Sequence, residues 1–439
     1  MGEHIGIALI GCGIVGGGVV KILAGQGEML RARTGLSFDV RHVIVRDPGK
    51  HAGKHAGKNV GVDGNAAIDD PRTQIVVELM GGTGKAGEYI ERALRLGKPV
   101  VTANKSLLAA RGRELFALAR KHNTVIGFEA SCGGGIPIID ALTRGLVANR
   151  IDALLGIVNG TCNVILTRMT KNGWGYAEAL AEAQRLGFAE ADPTLDVSGR
   201  DAAQKLAILA SLAFNVTVAE SDIHVEGVDT IQAADISLAS ELGYVIKLLA
   251  IAQRHAGDRL TLRVHPTLVH KDDVLADVSG SFNAISVFGH ALGHALFYGR
   301  GAGELPTASA VVADLVDVAL GARAVAFKQQ RIYPDVTPNA AVLPFDQLES
   351  RYYLRLSARD VPGVLADVTA ALGRNGISVS AVLQRESSDS KTVPVVITTH
   401  LAREGAVRKA LAEIDGLATI NPPTVCLRII DQPKEFAGS

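Results

Sequence analysis

Ile5 to Ile10 is an unbroken apolar run, followed at once by Gly11-Cys12-Gly13-Ile14-Val15-Gly16 and a helical pattern through Leu23. A continuous apolar strand is what burial on both faces of a parallel sheet demands. Between a strand and a helix, G-x-G-x-x-G has a mechanical meaning. The first glycine makes a tight turn, the second lets backbone approach a pyrophosphate, and the third lets the helix pack closely, with its N-terminus aimed at the anion. A merely tight strand-to-helix turn is the plain alternative. A second strand, expected at Val40 to Val45, ends in Arg46 and Asp47. An acidic residue there favours a free ribose hydroxyl and an arginine favours a 2′-phosphate, so the pair leans toward NADP while leaving NAD open. Gly11, Gly13, Ile14, Val15, Gly16 and Arg46 are the cofactor-binding candidates.

Further strands at Ile75 to Leu79 and Pro99 to Thr102, with a helix at Ala86 to Leu96 between them, repeat the βα unit of a doubly wound sheet. Thr102-Ala103-Asn104-Lys105 sits at one of its strand ends, which places Lys105 near cofactor and substrate unless it is a solvated lysine at a helix start. A strand at Thr124 to Phe128 runs into Glu129-Ala130-Ser131-Cys132-Gly133-Gly134-Gly135-Ile136-Pro137. Glycines there expose backbone carbonyls that, with the Glu129 carboxylate, suit a hard monovalent cation. A hinge into the next domain explains the same residues.

After a strand at Ile151 to Val158, Asn159-Gly160-Thr161-Cys162-Asn163 reads as a turn and helix cap before Val164 to Met169. A helix at 177 to 186 ends at Gly187, a fitting left-handed cap. Four carboxylates, Glu190, Asp192, Asp196 and Asp201, then crowd a loop that Pro193 keeps out of helix, and a helix starts near Arg200 and runs to about Phe214. On its wheel Asp201, Lys205, Ile208 and Leu212 form one stripe. An i,i+4 Asp/Lys pair is the plain reading. Against it, the helix is apolar nearly all round, and a partly desolvated lysine among carboxylates suits acid/base work. Strands at Leu260 to Val264, Ala284 to Val287 and Ala295 to Tyr298 suggest a second, mixed sheet that could supply a dimer surface. Gly299-Arg300-Gly301-Ala302-Gly303-Glu304-Leu305-Pro306-Thr307 opens a long helix, Ala308 to Arg323.

From Tyr333 to about Ser350, Pro334, Pro338 and Pro344 break the periodicity, as a linker would. Beyond it the pattern is βαββαβ: strand Tyr352 to Ser357, a helix that Val361-Pro362-Gly363-Val364 starts and that runs to about Arg374, strands Ile377 to Leu383 and Thr392 to Thr399, helix Glu404 to Ile414, strand Thr424 to Ile429. The expected fold class is α/β: a Rossmann-type doubly wound sheet over residues 1–140, completed by the helix near 306–330; a mixed α+β substrate and dimerisation domain, 141–305; a linker, 331–350; and a ferredoxin-like module, 351–430.

The set G-x-G-x-x-G, T-A-N-K at 102–105, E-A-S-C-G-G-G-I-P at 129–137, N-G-T at 159–161, the acidic stretch at 187–206 and the glycine loop near 299–308 resembles homoserine dehydrogenase, in the right order over residues 1–330. That resemblance implies reduction of L-aspartate 4-semialdehyde to L-homoserine with NADPH or NADH, on the route to threonine and methionine. It implies Lys205 as catalytic acid/base with Lys105 assisting, Glu190 and Asp201, with Asp196 beside them, holding the amino-acid substrate, and Lys105, Gly187 and Gly303 beside the cofactor. It also implies a sodium site at Glu129 with the carbonyls of Cys132, Gly134 and Ile136. Arg359-Asp360-Val361-Pro362-Gly363-Val364-Leu365 followed by Asn375-Gly376-Ile377-Ser378 resembles an ACT domain. This implies an amino-acid effector near Asp360, Gly363 and Asn375, threonine being the pathway end product, or else a dimerisation unit without effector.

With 45 basic and 45 acidic residues and no basic block, nothing in the charge invites nucleic acid. No apolar run approaches a membrane span, and the N-terminus lacks a secretory pattern. Four scattered cysteines signal neither zinc site nor disulfide framework, so the expected compartment is the cytoplasm; the mixed second sheet and the C-terminal module make a homodimer or homotetramer the expected state. Two other functions share these residues. One is an acylating semialdehyde dehydrogenase using a Cys132 thiolate; the other is a non-catalytic sensor of dinucleotide and amino acid.

Overall fold

The computed structural model describes residues 3–51, 59–384 and 392–430. Contacts divide the chain into two compact units: one holds the chain up to Val158 with Ala202–Asp222 and Ser281–Ala340, the other holds Asn159–Asp201, Ile223–Gly280 and the chain from Ala341 onward. Residues 141–305 contribute to both.

In the first unit six strands lie in the order Asn59–Gly61, Leu36–Ile44, Glu3–Ile10, Ile75–Glu78, Val100–Thr102, Ile126–Gly127. Every neighbouring pair is parallel. Ile7, Ala8 and Leu9 are wholly buried, as an unbroken apolar strand requires. The strand order reverses direction between Glu3–Ile10 and Ile75–Glu78, and the loops leaving their C-terminal ends part there to form a crevice.

Helix Glu304–Ala319 returns to this sheet. A Cβ on Gly18 would fall 2.8 Å from the Glu304 carbonyl oxygen and 2.9 Å from the Ala308 Cβ, so helices Ile14–Gly25 and Glu304–Ala319 meet at nearly bare backbone. Lys21 pairs with Glu304 across the same junction at 2.6 Å. The single helix expected at 308–323 is in fact two, because Gly321 takes a left-handed φ of 76° and the chain restarts as Ala322–Gln329. Strands Ile151–Ile157, Phe282–Gly289 and Gly293–Arg300 form an antiparallel group in the same unit. The prolines after Tyr333 do end the helix, yet residues 331–340 are no free spacer. Arg120 pairs with Asp335 at 2.6 Å, Arg113 donates to the carbonyls of Pro334 and Thr337, and buried Tyr333 sits against Phe116, Phe128 and Phe327.

In the second unit, Tyr244–Arg254 and Leu260–His270 pair antiparallel along their full lengths. The βαββαβ module follows as expected, its four strands ordered Ile420–Ile430, Glu349–Arg359, Thr392–Thr399, Val379–Gln384. Helices Val364–Arg374 and Glu404–Asp415 bury Val368, Leu372, Val407 and Ile414 against Leu354, Leu356 and Ile397. The module's sheet does not stop at its own edge. Thr267–Val269 pair in parallel with Arg428–Ile430, and buried Arg428 binds Glu404 and Glu226. No helix among the described residues is long and apolar enough to cross a membrane.

Candidate functional site

The crevice at the sheet's switch point has a volume of about 510 Å³ and is lined by Gly11, Cys12, Gly13, Arg46, Met80, Lys85 and Tyr89 among others. Each motif glycine has a separate reason. Gly11 takes φ +96°, and a Cβ on it would lie 2.6 Å from the Met80 nitrogen; a Cβ on Gly16 would lie 2.3 Å from the Gly11 carbonyl oxygen. A Cβ on Gly13 would meet nothing within 4 Å, so its hydrogen faces open space where a ligand's phosphates can approach. Helix Ile14–Gly25 begins there with no side-chain cap, leaving the first-turn amides of Ile14, Val15 and Gly16 for an anion. Arg46 lines the crevice, whereas the Asp47 carboxylate accepts from the Gly49 amide at 3.0 Å. Lys85 and Tyr89 were not legible as lining residues, because only the fold brings their helix, Lys85–Arg95, to the strand ends.

Lys105 opens helix Lys105–Lys121 and is half-buried. Its position is fixed by Glu78, which no sequence motif marks. This wholly buried carboxylate accepts from the Met80 and Gly81 amides at 2.8 and 3.0 Å, from the Thr102 hydroxyl at 2.7 Å and from the Asn104 amide at 3.3 Å. Asn104 in turn caps the helix through Leu107. One buried acid thus ties together two strand-end turns. A glutamate closing an otherwise apolar strand was the available signal.

Lys205, half-buried on helix Arg200–Phe214, donates its ammonium to the Val158 carbonyl at 2.7 Å. The Cys132 thiol lies beneath the same helix, 3.9 Å from the Lys205 carbonyl oxygen. Burial pushes that thiol up to about 12, against its bond with Ser131 and the positive charges of Lys205 and Lys105, both close enough to act on it. A thiol without exposed surface and held protonated is no nucleophile, so the thiolate reading of Cys132 is corrected. Glu129 is also buried, and its two oxygens accept from the Ile139 and Asp140 amides, each at 2.8 Å. Burial, then the nearby Asp314, raises its carboxyl to about 7. Gly134 is pressed against Gly301, where a Cβ would come within 2.5 Å of backbone, and Gly135 donates to the Arg300 carbonyl, so the turn at 129–137 and the glycine loop at 299–306 fold together. Gly303, at φ +122°, starts the returning helix.

The acidic stretch separates into distinct roles within the second unit. Contrary to the expectation that Pro193 keeps the loop free of helix, Pro193 precedes a helical turn, Thr194–Val197, whose start is held by Asp192 accepting from the Thr194 amide and hydroxyl. Glu190 is exposed, and its carbonyl accepts from Gln184. Asp196 and Asp201 instead converge on Asn159, whose side-chain amide donates to both at 2.7 Å. Gly187 takes φ +76° after helix Tyr176–Arg185. Asn159 and Thr161 begin helix Gly160–Asn172 several residues earlier than the pattern at Val164 suggested, since the cap residue is Asn159 itself.

In the C-terminal module, Asp360 and Gly363 line a cleft of about 390 Å³ together with Arg359 and Gln384. Asn375 does not join them. It ends helix Val364–Arg374, donating to the Ala371 carbonyl and to Glu413.

Residues 11–129 match the homoserine dehydrogenase NAD binding domain, 137–316 match homoserine dehydrogenase, and 352–417 match the ACT domain. The homoserine dehydrogenase of Pseudomonas aeruginosa is 41% identical over 434 residues, covering 97% of this chain and 99% of that one. A solved homoserine dehydrogenase from Thiobacillus denitrificans is 42% identical, with a TM-score of 0.92 over 98% of this chain and 99% of its own. A hyperthermophilic archaeal homoserine dehydrogenase solved in complex with NADPH is 26% identical, with a TM-score of 0.62, and covers 72% of this chain and 98% of its own. A dinucleotide crevice with its glycine cradle, a half-buried lysine and a C-terminal βαββαβ module agree with those matches, and the chain belongs to the homoserine dehydrogenase family of NAD(P)-dependent oxidoreductases.

Proposed function

We propose that the chain interconverts L-aspartate 4-semialdehyde and L-homoserine with NADP in preference to NAD. The observation that carries this reading is Lys205: a half-buried ammonium, aimed by the Val158 carbonyl, in the same unit as the glycine cradle. The dinucleotide, when bound, supplies the hydride for the aldehyde carbon. Negative charge then gathers on the aldehyde oxygen, where Lys205 stabilises it and delivers the proton that completes the hydroxyl. In the reverse direction the neutral amine takes that proton back. Lys105 adds a second positive charge. Glu190 and Asp201, with Asp196, supply the anionic counterpart to the substrate's α-ammonium. Arg46 on the crevice wall favours a 2′-phosphate, and the archaeal relative's NADPH supports the same cofactor.

The acidic pair Glu129 and Asp314, offset by Arg323, fits a bound monovalent cation, which Glu129 and the carbonyls of Cys132, Gly134 and Ile136 would hold. An amino-acid effector, threonine first, is assigned to the cleft at Asp360 and Gly363. A homodimer or homotetramer is part of the reading, supported by the outward strand Gly293–Arg300 with Leu296 and Tyr298 exposed; so is a cytoplasmic location, from the biosynthetic role.

The test is absorbance of the reduced nicotinamide with homoserine, comparing NADP and NAD and adding threonine and sodium. Homoserine oxidation that is faster with NADP supports the reading. Absence of any homoserine-dependent reduction with either cofactor would overturn it.

A further inference from the structure

Helices Lys105–Lys121 and Arg200–Phe214 are joined near their starts by the Ser106 hydroxyl, which donates to the Gln204 side chain at 2.8 Å. Farther along they part around a cavity of about 140 Å³, walled by Leu108, Phe116, Phe128, Ile208, Leu212 and Val218, all buried. Ala110, Arg113 and Ala219 at its rim are exposed, so the cavity has a mouth. Its hydroxyls are spent on the protein. Ser211 donates to the Ala207 carbonyl at 2.7 Å and accepts from the Val218 amide at 3.0 Å, and Thr217 donates to the Pro334 carbonyl at 3.0 Å. An interior with no polar group left to hold water favours an apolar guest, and about 150 Å³ suffices for a benzene ring.

Gly112 keeps the room. It lies mid-helix, where alanine is more favourable by about 1 kcal/mol. A Cβ on it would come no closer than 3.7 Å to the Phe116 ring, an ordinary contact, so packing does not require glycine there. Arg113 sets the charge of the guest. Its guanidinium donates to the Pro334 carbonyl at 3.1 Å, the Asn339 side-chain oxygen at 3.0 Å and the Thr337 carbonyl at 2.9 Å. All three acceptors are neutral and no acidic group pairs with it among the described residues, so its charge is uncompensated and part of its donor fork remains to be used.

We propose that this cavity is a second binding site, for a small carboxylate with an apolar body of one ring or a short branched chain, the body between the two helices and the carboxylate on Arg113. A cation fixed at the mouth of an apolar cavity selects such a molecule over a neutral one of the same shape. The cavity shares no lining residue with the dinucleotide crevice, and its apolar walls disfavour the polar amino acids of the proposed reaction. Its occupant is therefore neither cofactor nor substrate.

The test titrates the full chain at neutral pH with benzoate and with benzyl alcohol, by calorimetry and saturation-transfer NMR. Benzoate should bind saturably and about tenfold more tightly than the alcohol, the worth of one charge-assisted contact. Gly112→Ala should weaken both probes about tenfold by overfilling the site, with a melting temperature equal to or above the parent's. Arg113→Gln should bring benzoate to the level of the alcohol and leave the alcohol as it was. No saturable binding of benzoate, binding that Gly112→Ala leaves unchanged, or displacement of benzoate by NADP or homoserine would each overturn the site. Equal affinity of the parent for both probes would overturn the carboxylate class, and a lower melting temperature in Gly112→Ala would show that the glycine serves packing and overturn the argument from it.

Discussion

Lys205 donates its ammonium to the Val158 carbonyl oxygen at 2.7 Å, so a charged group on the helix Arg200–Phe214 is tied to the backbone at the end of the strand Ile151–Ile157. The lysine is thereby aimed before any ligand arrives, as proton transfer requires. Lys205→Met should lower kcat by about 10²- to 10⁴-fold, the usual worth of a general acid or base. Dinucleotide affinity, measured by nicotinamide fluorescence, should be unchanged. Lys205→Arg separates charge from proton transfer, since a guanidinium keeps the charge but cannot give up its proton at these pH values. Activity near that of the parent in Lys205→Arg would show that the residue works by charge alone.

Two of the motif glycines, Gly16 and Gly13, should fail in different ways. Gly16→Ala sets a Cβ 2.3 Å from the Gly11 carbonyl oxygen, inside the fold, and should cost melting temperature as well as binding. Gly13→Ala points its methyl into the open crevice, so melting temperature should hold within about 2 °C while affinity for the dinucleotide falls tenfold or more. Thermal melts beside cofactor titrations decide between the two patterns. Equal loss of stability in both variants would remove the argument that Gly13 is reserved for a ligand.

Arg46 lines the crevice while Asp47 turns its carboxylate to the Gly49 amide. A guanidinium bonded to a phosphate contributes on the order of 1.5–3 kcal/mol, a factor of about ten to a hundred. Arg46→Ala should therefore raise KM for NADP by about that factor and leave KM for NAD within threefold. Steady-state kinetics with each cofactor check it, and equal effects on both would sink the preference assigned to Arg46.

Helices Arg200–Phe214 and Val364–Arg374 were readable in place and approximate extent because each has sharp punctuation: a glycine before the first turn, and an apolar stripe at helical spacing thereafter. Strand Tyr244–Arg254 carries no such signal. Its core, Ile246 to Ala252, is buried at every position, so it lacks the alternation that marks a strand. At the site, Lys205, Lys105 and the glycine cradle announce themselves by residue type. Glu78 and Asn159 do not, since beside their local partners the fold brings distant ones to them, Thr102 and Asn104 to the first, Asp196 and Asp201 to the second. Gly321, conversely, carried a stop signal that the apolar stripe of the long helix masked.

Lys247 allows a pH prediction away from the site. It is 4% exposed on strand Tyr244–Arg254 and donates to the Val278 carbonyl at 2.5 Å. Burial, only partly countered by Asp277, lowers its ammonium to about 8. Between that value and the ordinary lysine value near 10.5, the unfolded chain holds a proton that the folded chain has released. Stability due to this group must then rise with pH through the window and stay at its lowest below pH 8. The full swing is on the order of 3 kcal/mol. Lys247→Met keeps the volume and removes the titration, giving up one hydrogen bond in exchange. The parent should gain on the variant as pH is raised from 7.5 to 10, seen as a closing difference in urea midpoints. A difference that stays constant over that range would mean that Lys247 keeps its proton in the folded protein.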